Sequence, residues 1–137
     1  MKLTLGVCLL VLATASFAVA QEQTKPALRP GVRVQMSNVS HAVEVPEADA
    51  GDATVVAITS TGKLFLGTSP VDTTALSSLK PGTVYVKVDA RAPFQNVLTV
   101  LDALRGRSVV LLTAPTSGAQ KKGEIMQPYG VKVSLGE

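Results

Sequence analysis

The stretch VYVKVDARAPFQNVLTVLDALR (residues 84–105) contains a strand, a turn and a helix in direct succession, and it decides the fold. In residues 84–88, three valines alternate with Tyr85 and Lys87, which predicts a strand with one buried face and one face in water. After a short linker comes Pro93, whose fixed φ and missing N–H suit the first position of a helix. A helix is therefore expected to follow this strand directly.

The predicted helix has a continuous apolar stripe that should rest on the sheet. Steps of three and four residues connect the members of the stripe, as in an amphipathic helix. The stripe comprises Phe94, Val97, Leu98, Leu101 and Leu104. The opposite, polar side comprises Gln95, Asn96, Thr99, Asp102 and Arg105.

Further elements are predicted on both sides of this unit. Residues 54–59 and 63–67 are apolar runs joined by a short loop with a glycine, which indicates a β-hairpin. Asp72 is a suitable N-cap for a short helix over residues 73–80. The run SVVLLT (residues 108–113) is typical of a strand buried on both faces, and a strand-helix-strand connection favours a position parallel to the first strand.

Two short alternating segments, residues 32–36 and 131–135, complete the set of predicted strands. We expect them at sheet edges, where an open strand can pair with a partner or with a second copy of the chain. The candidate interface residues are Val32, Val34, Val131, Val133 and Leu135. The predicted fold is thus α+β, a small mixed β-sheet of four to six strands with two helices packed on one face.

The N-terminal twenty residues resemble a secretory signal. Lys2 precedes an apolar run, and Ala18-Val19-Ala20 before Gln21 has the small-x-small pattern of a cleavage site. The alternative is an uncleaved inner-membrane anchor with the domain in the periplasm, because about 18 apolar residues can just span a bilayer. Because the cleavage-site pattern favours the signal over the anchor, we predict a signal at 1–20, an extended tether at 21–31 and a periplasmic domain at 32–137.

Composition excludes several functional classes. Cys8 is the only cysteine, so residues 21–137 can form neither a disulfide framework nor a thiolate metal site. Without Lys2 the chain has 12 basic and 10 acidic residues, and no basic cluster is interleaved with aromatic residues, so nucleic acid is not an expected partner. No cofactor and no metal are expected.

An enzymatic function is not expected, because the chain has a single histidine and no recognisable set of nucleophile, base and orienting group. Asp89 and Arg91, at the predicted strand-to-helix junction, are the most suggestive pair for binding, since such junctions often carry sites. The alternative, which we favour, is structural: an anionic side chain near a helix N-terminus with a solvated arginine beside it.

The order of these motifs resembles the periplasmic domain of the ExbD/TolR family of biopolymer transport proteins. The similarity is carried by TVVAITSTGKLFLG, by PVDTTAL, and above all by VYVKVDARAPFQNVLTVLDALR followed by SVVLLTA. GVRVQMSNVSHAVEVPEADA and GEIMQPYGVKVSL resemble the beginning and end of the domain. The resemblance covers about residues 31–135.

This resemblance implies a dimeric periplasmic domain that works beside an ExbB/TolQ-like channel subunit and acts on a TonB/TolA-like protein, converting the proton gradient into force. In the family, the proton step depends on an acidic residue in a transmembrane helix, where a carboxylate is costly to charge. Residues 1–20 contain no Asp or Glu. The expected function is therefore that of an accessory or exported variant that acts by docking.

Two alternatives remain at the level of sequence. One is a stand-alone periplasmic binding module for a peptide, a small ligand or the cell wall. The other is a structural envelope protein, which would differ from a transport component by having no dependence on the proton gradient.

Overall fold

The computed structural model describes residues 30–115 and 127–135. The predicted signal (1–20) and all but the last two residues of the predicted tether (21–31) lie outside the described residues. Within the described ranges, no helix combines the length and the hydropathy needed to cross a bilayer.

The described elements are seven strands, two α-helices and one 3-10 helix. In chain order they are β1 (Val43–Glu44), a 3-10 helix (Pro46–Asp49), β2 (Thr54–Ile58), β3 (Leu64–Leu66), β4 (Ser69–Val71), α1 (Thr73–Leu76), β5 (Val84–Val88), α2 (Phe94–Ala103), β6 (Val109–Thr113) and β7 (Tyr129–Val133).

The strands form one mixed, open sheet in the order β1-β7-β6-β5-β2-β3-β4. The central neighbours β2, β5 and β6 are parallel, and all other pairs are antiparallel. The α+β class and the mixed sheet are confirmed, although the seven strands exceed the predicted four to six. The short strands β1 and β4 were not predicted. β4 contains Pro70, which is tolerated because β4 is an edge strand.

Both helices pack on the same face of the sheet, as predicted. The chain moves from β2 to β5 to β6, always in the same direction, and right-handed connections of that kind place successive helices on one side. Eight fully or almost fully buried side chains form the core of this layer. They are Val56 and Ile58 of β2, Leu76 of α1, Val84 and Val86 of β5, Val100 and Leu104 around α2, and Val109 of β6.

The second face of the sheet is also covered near its centre. Tyr85 and Val110 are buried there against Val45 and Ala48, which belong to the segment around the 3-10 helix. The prediction that the strand at 84–88 has one face in water is therefore wrong. Alternation of valines with Tyr85 and Lys87 identified the strand correctly, but a tyrosine can be buried on either face of a sheet.

Helix α2 is rotated relative to the predicted stripe. Phe94 is 72% exposed and Leu98 is 43% exposed, so their prediction as core residues is wrong. Val100, which was not in the stripe, is fully buried together with Leu104. The helix has more apolar residues than its contact with the sheet can cover, and docking selects which of them become core. Pro93 lies at the N-cap, one position before the first helical residue.

Helix α1 begins as predicted and ends early. Asp72 is the N-cap, and its Oδ1 accepts a hydrogen bond from the Ala75 amide at 3.3 Å. The predicted end at residue 80 is wrong, because the helix stops at Leu76. Beyond the helix, the Arg107 guanidinium donates to the carbonyl oxygens of Leu79 and Lys80, each at 2.8 Å. These carbonyls thus obtain partners from outside the helix.

Two leucines around α2 provide a matched test of this orientation. Leu104→Ala should lower the free energy of unfolding by about 3 kcal/mol, because a fully buried side chain leaves a cavity. Leu98→Ala should change it by less than about 1 kcal/mol, because Leu98 is partly in water and alanine favours the helix. Urea unfolding of both variants measures the difference. Equal destabilisation by the two substitutions would contradict the observed rotation of the helix.

Candidate functional site

The strand-to-helix junction after β5 is the first candidate site. Asp89 continues the β5 ladder, since its amide donates to the Ile58 carbonyl at 2.9 Å. The Asp89 side chain is directed inward, and the residue is only 3% exposed. Arg91 lies two residues later with its side chain 66% exposed. The two residues predicted to act together are therefore in contact.

The Asp89 carboxylate accepts four hydrogen bonds. Oδ1 accepts from the Arg91 amide at 2.9 Å and from Arg91 Nε at 3.0 Å. Oδ2 accepts from Arg91 Nη2 at 3.1 Å and from the amide of Gln35 at 3.1 Å. Hydrogen bonds from the Arg91 side chain, and then from the two amides, hold the pKa of Asp89 well below its usual range. The group is therefore ionised at neutral pH.

This geometry favours the structural interpretation of the pair. A carboxylate has about four lone-pair positions, and here four donors occupy them, so little acceptor capacity remains for a ligand. Asp89 is also a poor candidate for a catalytic base, because a carboxylate with a strongly lowered pKa is a weak base near neutral pH. The contribution of Gln35 could not be predicted, because 54 residues separate it from Asp89.

Residues 35–38 lie between the carboxyl ends of β5 and β6. The Ala90 amide donates to the Gln35 carbonyl at 2.7 Å, and the Ala114 amide donates to the Ser37 carbonyl at 3.0 Å. Asn38 also forms an isolated parallel bridge with Ala114. This segment therefore fills the gap where the two central strands diverge, and we call residues 35–38 the plug.

The predicted edge strand at residues 32–36 is wrong. These residues form no strand, and the plug that begins inside this segment is bound at the centre of the sheet. Val32 and Val34 are half-buried and alternate with exposed residues. The alternation was recognised correctly, but an extended segment that crosses the strand ends shows the same period as a strand at the edge.

The second candidate site is the outer edge of β7. The Val45 amide donates to the Pro128 carbonyl at 2.7 Å, so the backbone groups of residue 128 point away from β6. Because this direction alternates along a strand, Gly130 and Lys132 also point outward, whereas Val131 and Val133 bond to β6. β1 pairs only with Tyr129 and Gly130. Among the described residues, no strand pairs with the outward side of Lys132.

The side chains of the predicted β7 interface do not form an exposed apolar patch. Val131 and Val133 are half-buried, and their register partners Leu111 and Val109 belong to the helix-covered core. Leu135 packs against the same core. What this edge offers to a partner is therefore its backbone. Within the described part of β7, Lys132 has outward amide and carbonyl groups that pair with no described strand, and the sequence pattern did not single it out.

No family model matches the chain, and no characterised protein matches it significantly. The described residues also contain no group of three or more His, Cys, Asp or Glu side chains placed to hold a metal ion. Function is therefore inferred from the residue pattern and from the two sites described above.

The role of Asp89 can be tested by its effect on acid stability. Its pKa is lower in the folded state, so its stabilising contribution is fully present above the unfolded pKa of about 3.9 and is lost as the pH falls below that value. Asp89→Asn should have a lower free energy of unfolding than the wild-type protein at pH 7. The difference in free energy between the two proteins should be smaller at pH 3. Urea unfolding at both pH values measures this.

The matched control is Asp102→Asn, because Asp102 forms an exposed ion pair with Arg105 at 2.8 Å. Exposed pairs contribute little, so this variant should remain close to wild type at both pH values. If the difference in free energy of unfolding between Asp89→Asn and the wild-type protein did not change with pH, the carboxylate charge would not be the stabilising feature.

Proposed function

We propose that this protein is a non-enzymatic, ExbD/TolR-like component that docks to a TonB/TolA-type energy-transduction system in the periplasm. The proton step would belong to other subunits, since residues 1–20 contain no Asp or Glu that could bind a proton within a membrane segment. The proposed partners are an ExbB/TolQ-like channel subunit, a TonB/TolA-like protein and a second copy of the chain.

The proposal is supported by the positions, within the fold, of the motifs that resemble the ExbD/TolR family. The motif at residues 54–67 forms the hairpin of β2 and β3, and the motif at 84–105 forms β5 and α2. Together with β6 they supply most of the helix-covered core. The resemblance therefore rests on residues that build the domain rather than on scattered surface positions, and the α+β architecture is the one that the resemblance implies.

The observation that carries the proposal is the outward backbone edge of β7 at Lys132, with which no strand of the described residues pairs. A partner in extended conformation can add a strand to such an edge, using main-chain hydrogen bonds for affinity. Lys132 supplies the outward amide and carbonyl there, beyond the short cover provided by β1. The same edge could pair with its copy in a second molecule, so one surface would also serve the proposed dimer.

Proline substitutions at two adjacent residues distinguish pairing at the outer edge of β7 from pairing of β7 with β6. Lys132→Pro removes an outward amide, so it should weaken dimer or partner pairing roughly tenfold while leaving the β6–β7 ladder intact. Val133→Pro removes an amide that bonds inward, so it should lower the free energy of unfolding by more than about 2 kcal/mol. Sedimentation equilibrium and urea unfolding measure the two effects.

Lys132→Ala is the control, because it removes the side chain and keeps the amide. It should pair as well as the wild-type protein. If Lys132→Pro associates as tightly as Lys132→Ala, then the outer edge of β7 is not the interface.

The transport function is tested in cells by a photo-crosslinking amino acid at position 132. A TonB/TolA-like or ExbB/TolQ-like protein should be cross-linked, and a protonophore should change the yield. A deletion strain should lose energised import. A cross-link only to the cell wall, with unchanged import, would instead identify a structural envelope protein.

Localisation gives a simpler test. The protein isolated from cells should begin at Gln21, because the pattern Ala18-Val19-Ala20 favours cleavage before this residue. N-terminal sequencing or intact mass spectrometry measures this. A chain that begins at Met1 and fractionates with membranes would mean that the N-terminus is an anchor.

A further inference from the structure

An open groove is lined largely by residues on the sheet face opposite the helices, and Leu66 and Leu79, which pack against the helix-covered core, line its margin. Its volume is about 530 Å³, within the range of ordinary ligand pockets. Three adjacent parallel strands contribute lining side chains on the same face: Val55 of β2, Lys87 of β5 and Leu112 of β6. Ala48 of the 3-10 helix also lines the groove. Thr54 of β2 lines the groove as well, so the polar side chains that the sheet contributes are one hydroxyl and one amine, that of Lys87.

That amine is partly removed from water and forms no ion pair with a described residue. Lys87 is half-buried, and burial lowers the pKa of its ammonium group. Among the described residues, no carboxylate forms an ion pair with it. A partly desolvated cation without a partner is unfavourable, and a bound anion would offset that cost.

The other charges around the groove are placed differently. Lys80, Asp49 and Asp52 line it too, but all three are exposed. Exposed charges interact weakly because water and salt screen them. The electrostatic preference of the inner part of the groove is therefore set by Lys87, which favours a single negative charge.

We propose that this groove binds a small monocarboxylate with an apolar body. The carboxylate would pair with the Lys87 ammonium group, and the hydrocarbon part would lie over Val55 and Leu112. A single compact ammonium suits one negative charge, whereas phosphate groups are commonly held by several donors or by a bidentate arginine. This binding site goes beyond the proposed docking function and does not depend on it, because the groove lies on a sheet face and the docking surface is the edge of β7.

The probe is decanoate, titrated into the isotope-labelled chain from residue 21 onward and followed by NMR chemical shifts. Saturable shifts should occur at Val55, Lys87 and Leu112. Lys87→Met should weaken binding about tenfold or more, because a charge-assisted interaction is lost. Lys87→Arg should bind within about threefold of wild type, since it restores the charge. Lys80→Met is the matched control at an exposed lysine and should bind as the wild-type protein does.

Decanol distinguishes carboxylate recognition from adsorption to an apolar surface, and it requires no variant that must fold. Decanol should bind the wild-type protein much more weakly than decanoate does. Equal binding of the two probes, equal binding by Lys87→Met, or the absence of saturable binding would each overturn the proposal.

The competing occupant is the chain itself, because Pro30 and Gly31 line the groove and further residues precede them in the sequence. Leu28→Ser tests this by making that preceding segment more polar. Unchanged affinity for decanoate supports a free groove. A several-fold gain in affinity would mean that residues before Pro30 occupy the groove, and the small-ligand proposal would then be wrong.

Discussion

The constraint on which the structure depends is the burial of the first three residues of β5, Val84 to Val86, on every side. The backbone of β5 bonds to parallel neighbours on both edges, β2 and β6. Val84 and Val86 are fully buried under the helices, and Tyr85 is buried on the opposite face. Parallel strands require such double cover, because the connections between them pass over a face of the sheet. The two helices, the 3-10 helix and the plug all cover or close parts of this central strand.

Helices and strands with a clear pattern of apolar residues were predictable from the sequence. The way in which they pack against one another was not. The strands at 54–58, 84–88 and 109–113 were identified because runs of valine, leucine and isoleucine leave few alternatives. The rotation of α2 was missed because its apolar residues occupy more than one face, and only contact with Val86 and its neighbours selects Val100 over Leu98. The strand β1 was missed because two residues carry no measurable period.

The candidate site shows the same limit more sharply. Sequence identified Asp89 and Arg91 as a pair, because they lie at a strand-to-helix junction only two residues apart. The sequence could not identify the third participant, the Gln35 amide. This donor belongs to the backbone and lies 54 residues away, so the identity of the residue gives no indication of the bond. That bond supports the structural interpretation already favoured from the sequence and shows what the carboxylate holds in place. With it, the carboxylate ties the plug to the end of β5, which is a structural role.

The position of the plug also determines how a pull on the N-terminal side of the domain would be carried. Gln35 and Ser37 bond to Ala90 and Ala114, at the ends of the two central strands. A force applied ahead of residue 30 would therefore reach the best-buried part of the sheet before it reached either edge. Within the proposed function, that arrangement would be useful: the domain would bear load through β5 and β6, while Lys132 of β7, on the other side of β6, keeps outward backbone groups that pair with no strand in the described part of the chain.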